Sequence, residues 1–174
     1  GHSCALKSSG SVLCWGDDND GQVSGRSPFD KNGRPFAALR YASPELFRGE
    51  RDYSRIEAGG SVSCALRLND QLHCWGAQEM PGPREPLFES GATQDFAVGS
   101  AMVCAVLSAK TAACRRVQHV QQDHPYPDYY QLQPLESIPD LRGLSGISVG
   151  EGLLNSNATC AWTKAGAVSC WGTM

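Results

Sequence analysis

The 174-residue sequence has no apolar run long enough to cross a membrane as a helix, which takes about 20 residues. It has no Cys-x-x-Cys pair, so its eight cysteines are not grouped as zinc sites group them. It lacks His-Glu-x-x-His, a phosphate-binding glycine loop and Gly-x-Ser-x-Gly, so the common signatures of metalloproteases, nucleotide binders and serine hydrolases are missing. Charge is sparse, and a net charge of −3 argues against a general nucleic-acid binder. Helical periodicity is scarce, while 19 glycines and 10 prolines suit short strands and turns. No signal peptide is visible, because the chain opens inside a repeat. That reads as a processed product or an excerpt of a longer chain.

What is present is one short stretch written four times. The copies run from Cys4 to Gly16, Cys64 to Gly76, Cys104 to Cys114 and Cys160 to Gly172. They hold all eight cysteines, and in each the second Cys lies ten residues after the first. Internal repeats decide the fold and are read first. Each copy reads as a β-hairpin. In the first, a three-residue loop Ser8-Ser9-Gly10 puts Gly10 at the left-handed position such loops favour for glycine. Leu6 then faces Val12, Ala5 faces Leu13, and Cys4 faces Cys14. A closing Lys7–Ser11 hydrogen-bonded pair makes Cys4–Cys14 a non-hydrogen-bonded pair, with Cα atoms about 4.5 Å apart. That separation is within disulfide range.

Side chains alternate along a strand. Cys4, Leu6, Val12 and Cys14 share one face, and Ala5, Leu13 and Trp15 share the other. Both are apolar, so each hairpin expects a neighbour on both sides. The loop glycine recurs as Gly166, while Asp70 tolerates the conformation and Lys110 suits it poorly. The third copy also has Arg115 in place of the Trp.

Eight equally paired cysteines point to an oxidising compartment. The alternatives are free cysteines buried as small apolar residues, or zinc. A bridge closing an eleven-residue loop contributes on the order of 2.5–3 kcal/mol in the chain-entropy model. Asn157-Ala158-Thr159 is an N-glycosylation sequon and makes Asn157 the candidate acceptor.

The hairpin regions are 1–16, 59–76, 99–115 and 150–172, and the connectors are 17–58, 77–98 and 116–149. Strands ending in glycine feed the later hairpins: Tyr53–Gly60, Phe96–Gly99 and Gly146–Gly150. The acidic run Asp17-Asp18-Asn19-Asp20 reads as a polar turn closed by Gly21, since it lacks the ligand alternation of a calcium loop. A short helix is expected near Pro44-Glu45-Leu46-Phe47. Tyr126, Tyr129 and Tyr130 with Arg115 and Arg116 have the composition of a contact surface. His119, Asp123 and His124 are metal-ligand types, but nothing in their spacing fixes a geometry. No metal or other cofactor is expected.

The repeat resembles the regulator-of-chromosome-condensation family of β-propeller repeats. The resemblance rests on Gly1-His2-Ser3-Cys4-Ala5-Leu6, then Gly10, then Cys14-Trp15-Gly16, then Gly21-Gln22. Its paired-cysteine form is similar to that of secreted bacterial and algal repeat proteins and of the extracellular domains of crinkly-type plant receptor kinases. The resemblance implies an all-β fold, a β-propeller of four disulfide-stapled hairpins. The family usually closes seven blades, so four hairpins imply part of a larger propeller or an open assembly whose edges need a partner. It implies a non-enzymatic, extracellular or cell-surface interaction or structural assembly module, binding a protein partner or sister subunits and no nucleic acid. Two other readings follow from relatives of this shape: a secreted enzyme inhibitor like the propeller-type β-lactamase inhibitor, or a propeller hydrolase. The founding nucleotide-exchange activity suits a reducing compartment, which the cysteines disfavour.

Overall fold

The computed structural model describes residues 1–26, 40–47, 51–77, 80, 82–89, 92–100, 102–120, 129–134, 136–138, 141–150 and 158–172. Among them there is no helix. The described residues form fifteen strands in four small antiparallel sheets, one per cysteine pair.

The first sheet holds β1 (His2–Leu6), β2 (Val12–Asp17) and β3 (Arg40–Leu46). The second holds β4 (Tyr53–Gly59), β5 (Val62–Arg67), β6 (Leu72–Gly76) and β7 (Gly82–Pro86). The third is built on β8 (Thr93–Val98), β9 (Met102–Leu107) and β10 (Ala112–Val120). There β11 (Tyr129–Leu132) and β12 (Glu136–Ile138) both pair with β10. The fourth holds β13 (Leu144–Val149), β14 (Ala158–Thr163) and β15 (Val168–Gly172).

The hairpin register is the expected one: Cys4 faces Cys14, Ala5 faces Leu13 and Leu6 faces Val12. The four turns close identically. Lys7 N donates to Ser11 O and Gly10 N to Lys7 O, and the same two bonds recur at Arg67, Leu107 and Thr163. The left-handed slot is occupied by Gly10, Asp70, Lys110 and Gly166, with φ of 76°, 63°, 60° and 87°. Lys110 therefore takes a conformation its side chain disfavours, because the two strands and the bridge leave the turn no other path.

Each hairpin carries its own disulfide: Cys4–Cys14, Cys64–Cys74, Cys104–Cys114 and Cys160–Cys170. The Cα separations are 4.1 Å in the first three and 4.0 Å in the last, as a non-hydrogen-bonded pair requires. There is no free cysteine.

A feeding strand precedes the last three hairpins, and each bulges at the same place. The register shifts at Ser54 in β4, Gln94 in β8 and Ser145 in β13. In two of the three the bulge hydroxyl returns to the neighbouring strand: Ser54 donates to Leu66 O and Ser145 to Trp162 O, each at 3.2 Å.

The sheets stack face to opposite face. The sulfur face of the first, with Val12 and Cys14, packs on Ala65 and Trp75 of the second. The sulfur face of the second, with Cys64, Leu66, Leu72 and Cys74, packs on Phe96, Val103, Ala105 and Ala113 of the third. That of the third, with Cys104, Val106 and Cys114, packs on Ile147, Ala161 and Trp171 of the fourth. Both apolar faces of a hairpin are thus used, as their composition requires.

One expectation is corrected. The segment at Pro44 is no helix: Arg40–Leu46 is the outer strand β3. Proline is tolerated there because an edge strand leaves some N–H groups without ladder partners. After Cys114 the chain continues in strand. β10 runs nine residues, and its far half pairs with β11 in a ribbon.

Candidate interaction surface

The most completely built junction lies between the first and second sheets. After Trp15-Gly16 the chain turns back over Asp18, whose buried Oδ1 accepts from Val23 N at 2.7 Å and Ser24 N at 2.9 Å. Asp20 Oδ2 accepts from Ser61 Oγ at 2.6 Å. The acidic run is therefore spent on a turn and on the neighbouring sheet. Among the described residues no three His, Cys, Asp or Glu side chains gather as a metal site.

The turn delivers the carbonyl of Gln22 between the sheets. It accepts from Ser63 Oγ at 2.8 Å and from Trp75 Nε1 at 3.1 Å. The same hydroxyl lies in hydrogen-bond contact with His2 Nε2 at 2.7 Å. Burial holds the His2 pKa below its ordinary 6.5. Phe47, just past β3, stacks on Trp75 with ring centroids 4.0 Å apart.

A second network ties the feeding strands together. Arg55 on β4 bonds the carboxylates of Asp95 and Glu57, donates to Phe96 O at 2.9 Å, and lies 4.7 Å above the Phe96 ring. Burial pulls the Arg55 pKa down; the two carboxylates outweigh that and raise it. The same carboxylates accept backbone amides of the next sheet along. Glu57 Oε2 takes Val98 N at 3.1 Å, and Asp95 Oδ2 takes Ile147 N at 2.8 Å. Neither network was legible in the sequence, since their cross-sheet partners lie about 40 residues or more apart.

Four of the five proposed contact positions fall on two paired strands. Arg115 and Arg116 lie on β10, both half-buried. Arg115 stands where Trp75 stands in the second sheet, and its Nε is buried without a hydrogen-bond acceptor. Tyr129 and Tyr130 lie on β11, opposite Val120 and His119. The ribbon thus brings the Arg and Tyr positions into one segment. Tyr126, Asp123, His124 and Asn157 lie outside the described residues.

Two shallow clefts flank β3. One of about 190 Å³ is lined by Val23, Ser24, Arg26, Tyr41, Glu45 and Leu46. The other, of about 490 Å³, is lined by Trp15, Asp17, Arg40 and Tyr41 among others. Among the described residues each offers one carboxylate, Glu45 in the first and Asp17 in the second.

Residues 1–22 match the family model described as the regulator of chromosome condensation (RCC1) repeat. No curated protein matches the sequence. Yeast RCC1 (Prp20), solved bound to Kap60, superposes with a TM-score of 0.64 at 15% identity, over 98% of this chain and 41% of that one. Prp20p from Saccharomyces cerevisiae, described with its binding to Gsp1p and histones, gives 0.65 at 17% identity, over 98% and 43%. Human WBSCR16 gives 0.60 at 14% identity, over 98% and 44%. The chain spans less than half the length of each of these structures. At such identities the likeness carries the fold alone. The matched segment covers His2 and Gln22, two of the groups that join the first two sheets. The first repeat thus matches the RCC1 repeat, and the four sheets, each stapled by its own pair of cysteines, share the β-propeller fold of the RCC1 structures.

Proposed function

We propose that the chain is a non-enzymatic protein-interaction or structural assembly module of the extracellular space or cell surface. The observation that carries this reading is the arrangement of four covalently stapled sheets in one stack, with the β10–β11 ribbon continuing past the pairing of β9. A stack held this way is rigid, and loops on a rigid body make economical binding surfaces. Arg115, Arg116, Tyr129, Tyr130 and Tyr126 are its contact residues. Arg and Tyr are the types that dominate binding hot spots. The similar structures come from proteins described with protein partners: Kap60 in one case, Gsp1p and histones in another. Four bridges and no free cysteine support an oxidising compartment. An exposed Asn157 would then carry a glycan.

The test is capture of partners from the extracellular fraction of the native source by the immobilised, oxidised chain. The Arg116→Ala/Tyr129→Ala/Tyr130→Ala variant is the control. A partner retained by the parent and lost by the variant supports the reading. Equal capture by both removes the ribbon from it.

A further inference from the structure

In the third sheet β9 stops short of β10. Their last partners are Val103 with Arg115 and Met102 with Arg116. β9 begins there, at a turn in which Gly99 N donates to Met102 O at 2.8 Å. β10 runs on to Val120, paired on its other edge with β11. Backbone groups alternate between the two edges of a strand. Arg116 O accepts from Gln133 N at 2.8 Å on the β11 side, so Val117 and His119 turn their N–H and C=O to the edge that β9 has left. Among the described residues no strand pairs with them there.

An open edge is a template for another strand, and proteins usually blunt it with proline or charge. The outer strands of the first two sheets carry Pro44, Pro83 and Pro86. Val117-Gln118-His119-Val120 has no proline and no Asp, Glu, Lys or Arg. The edge is also held in place. Val117 is buried in the core between the second and third sheets, and its cross-strand partner Leu132 packs against the same core. At the base of the edge stands Arg115, half-buried, its Nε without an acceptor and no described carboxylate paired with it. We propose that the open edge of β10 takes an extended, acidic segment of a protein partner as an added strand, a carboxylate of which binds Arg115.

The register sets the chemistry of that segment. Arg115 and Val117 share one face of β10, and so does the residue of the added strand opposite Val117. That residue is the diagonal neighbour of Arg115, about 7–8 Å away between Cα atoms and within reach of a long side chain. Main-chain bonds to Val117 and His119 give affinity for an extended segment, and an Asp or Glu at the diagonal position gives the choice among segments. The other three repeats hold Trp15, Trp75 and Trp171 where the third holds Arg115. The arginine therefore belongs to the repeat whose second strand overruns its neighbour.

The inference rests on the interaction-module reading and names its binding mode and the chemistry of its partner. The first test is amide exchange of the free, oxidised chain. His119 N–H should exchange fast, and Gln118 N–H, which faces β11, slowly. A protected His119 shows an edge already covered and overturns the proposal. The second test selects a library of seven-residue peptides on the immobilised chain. The enriched peptides should share an Asp or Glu among strand-forming residues. Arg115→Trp should weaken them about tenfold, the worth of a bond to a charged group. His119→Pro removes one edge N–H and should abolish binding, while His119→Ala keeps that group and should retain it. Four bridges and slow Gln118 exchange show that the proline variant is folded. N-methylation of alternate amides in the selected peptide should give the same loss with the chain unaltered. No shared acid, or binding that survives both His119→Pro and N-methylation, overturns the proposal. Partner capture that needs Tyr129 and Tyr130 but survives His119→Pro overturns strand addition alone and leaves the module reading standing.

Discussion

Replacing Ser63 by Ala probes the stacking of sheets at its most specific point. The side chain is fully buried, and its hydroxyl donates to Gln22 O and shares a hydrogen bond with His2 Nε2. The substitution removes both bonds with little change in volume. Gln22 O keeps the Trp75 indole, so the acceptor is not orphaned, whereas His2 Nε2 loses this partner. At about 1 kcal/mol for each bond the expected loss is about 2 kcal/mol. With a urea slope of about 2 kcal/mol/M, the midpoint falls by about 1 M. A double-mutant cycle with His2→Ala should show a coupling of about 1 kcal/mol, because the two side chains share a bond. Ser3→Ala is the internal control: the same repeat position on an exposed face, expected to change stability by less than about 0.5 kcal/mol. A Ser63 loss no larger than that of Ser3, or additive singles in the cycle, would refute the reasoning that this hydroxyl links adjacent sheets.

Lys110→Gly relieves a left-handed residue at φ 60° and should raise stability by about 0.5–1 kcal/mol in denaturant melts, even though the Lys110–Gln94 contact is lost. Graded reduction followed by alkylation and mass mapping should open Cys160–Cys170 first, because Cys170 is exposed while at least one sulfur of each other bridge is buried. The burial that lowers the His2 pKa makes the unfolded chain bind the extra proton more readily. Stability should therefore be unaffected by this group above pH 6.5, and should fall as pH drops from there towards the folded value. His2→Gln, followed by melts across that range, should remove that part of the slope.

The hairpins were legible because two constraints coincide in each. A ten-residue cysteine interval and a three-residue turn permit one register, and alternation then assigns both faces. The outer strands were not legible. β3 contains Pro44, β7 contains Pro83 and Pro86, and proline ordinarily argues against a strand. At a sheet's edge that argument loses force, and pairing with β2 or β6 supplies the order that local sequence does not. The ribbon was missed for a related reason: β10 continues past Arg116 because β11 pairs with it, a contact made by residues beyond a stretch rich in proline. Of the five candidate contact residues that composition picked out, Arg115 and Arg116 fall on β10 and Tyr129 and Tyr130 on β11, and only the pairing of these strands puts the four positions in one sheet; Tyr126 lies outside the described residues. The Gly21-Gln22 turn was visible as a motif. Its role as acceptor for both Ser63 and Trp75 needed the second sheet in place.

The most direct measurement is a peptide map of the unreduced chain by mass spectrometry. The intact mass should lie about 8 Da below that of the fully reduced chain, two hydrogens for each bridge. Cleavage should give Cys4 linked to Cys14, Cys64 to Cys74, Cys104 to Cys114 and Cys160 to Cys170, with no free thiol. A bridge joining two different hairpins, or thiols left unpaired in the folded chain, would contradict the repeat of self-stapled sheets.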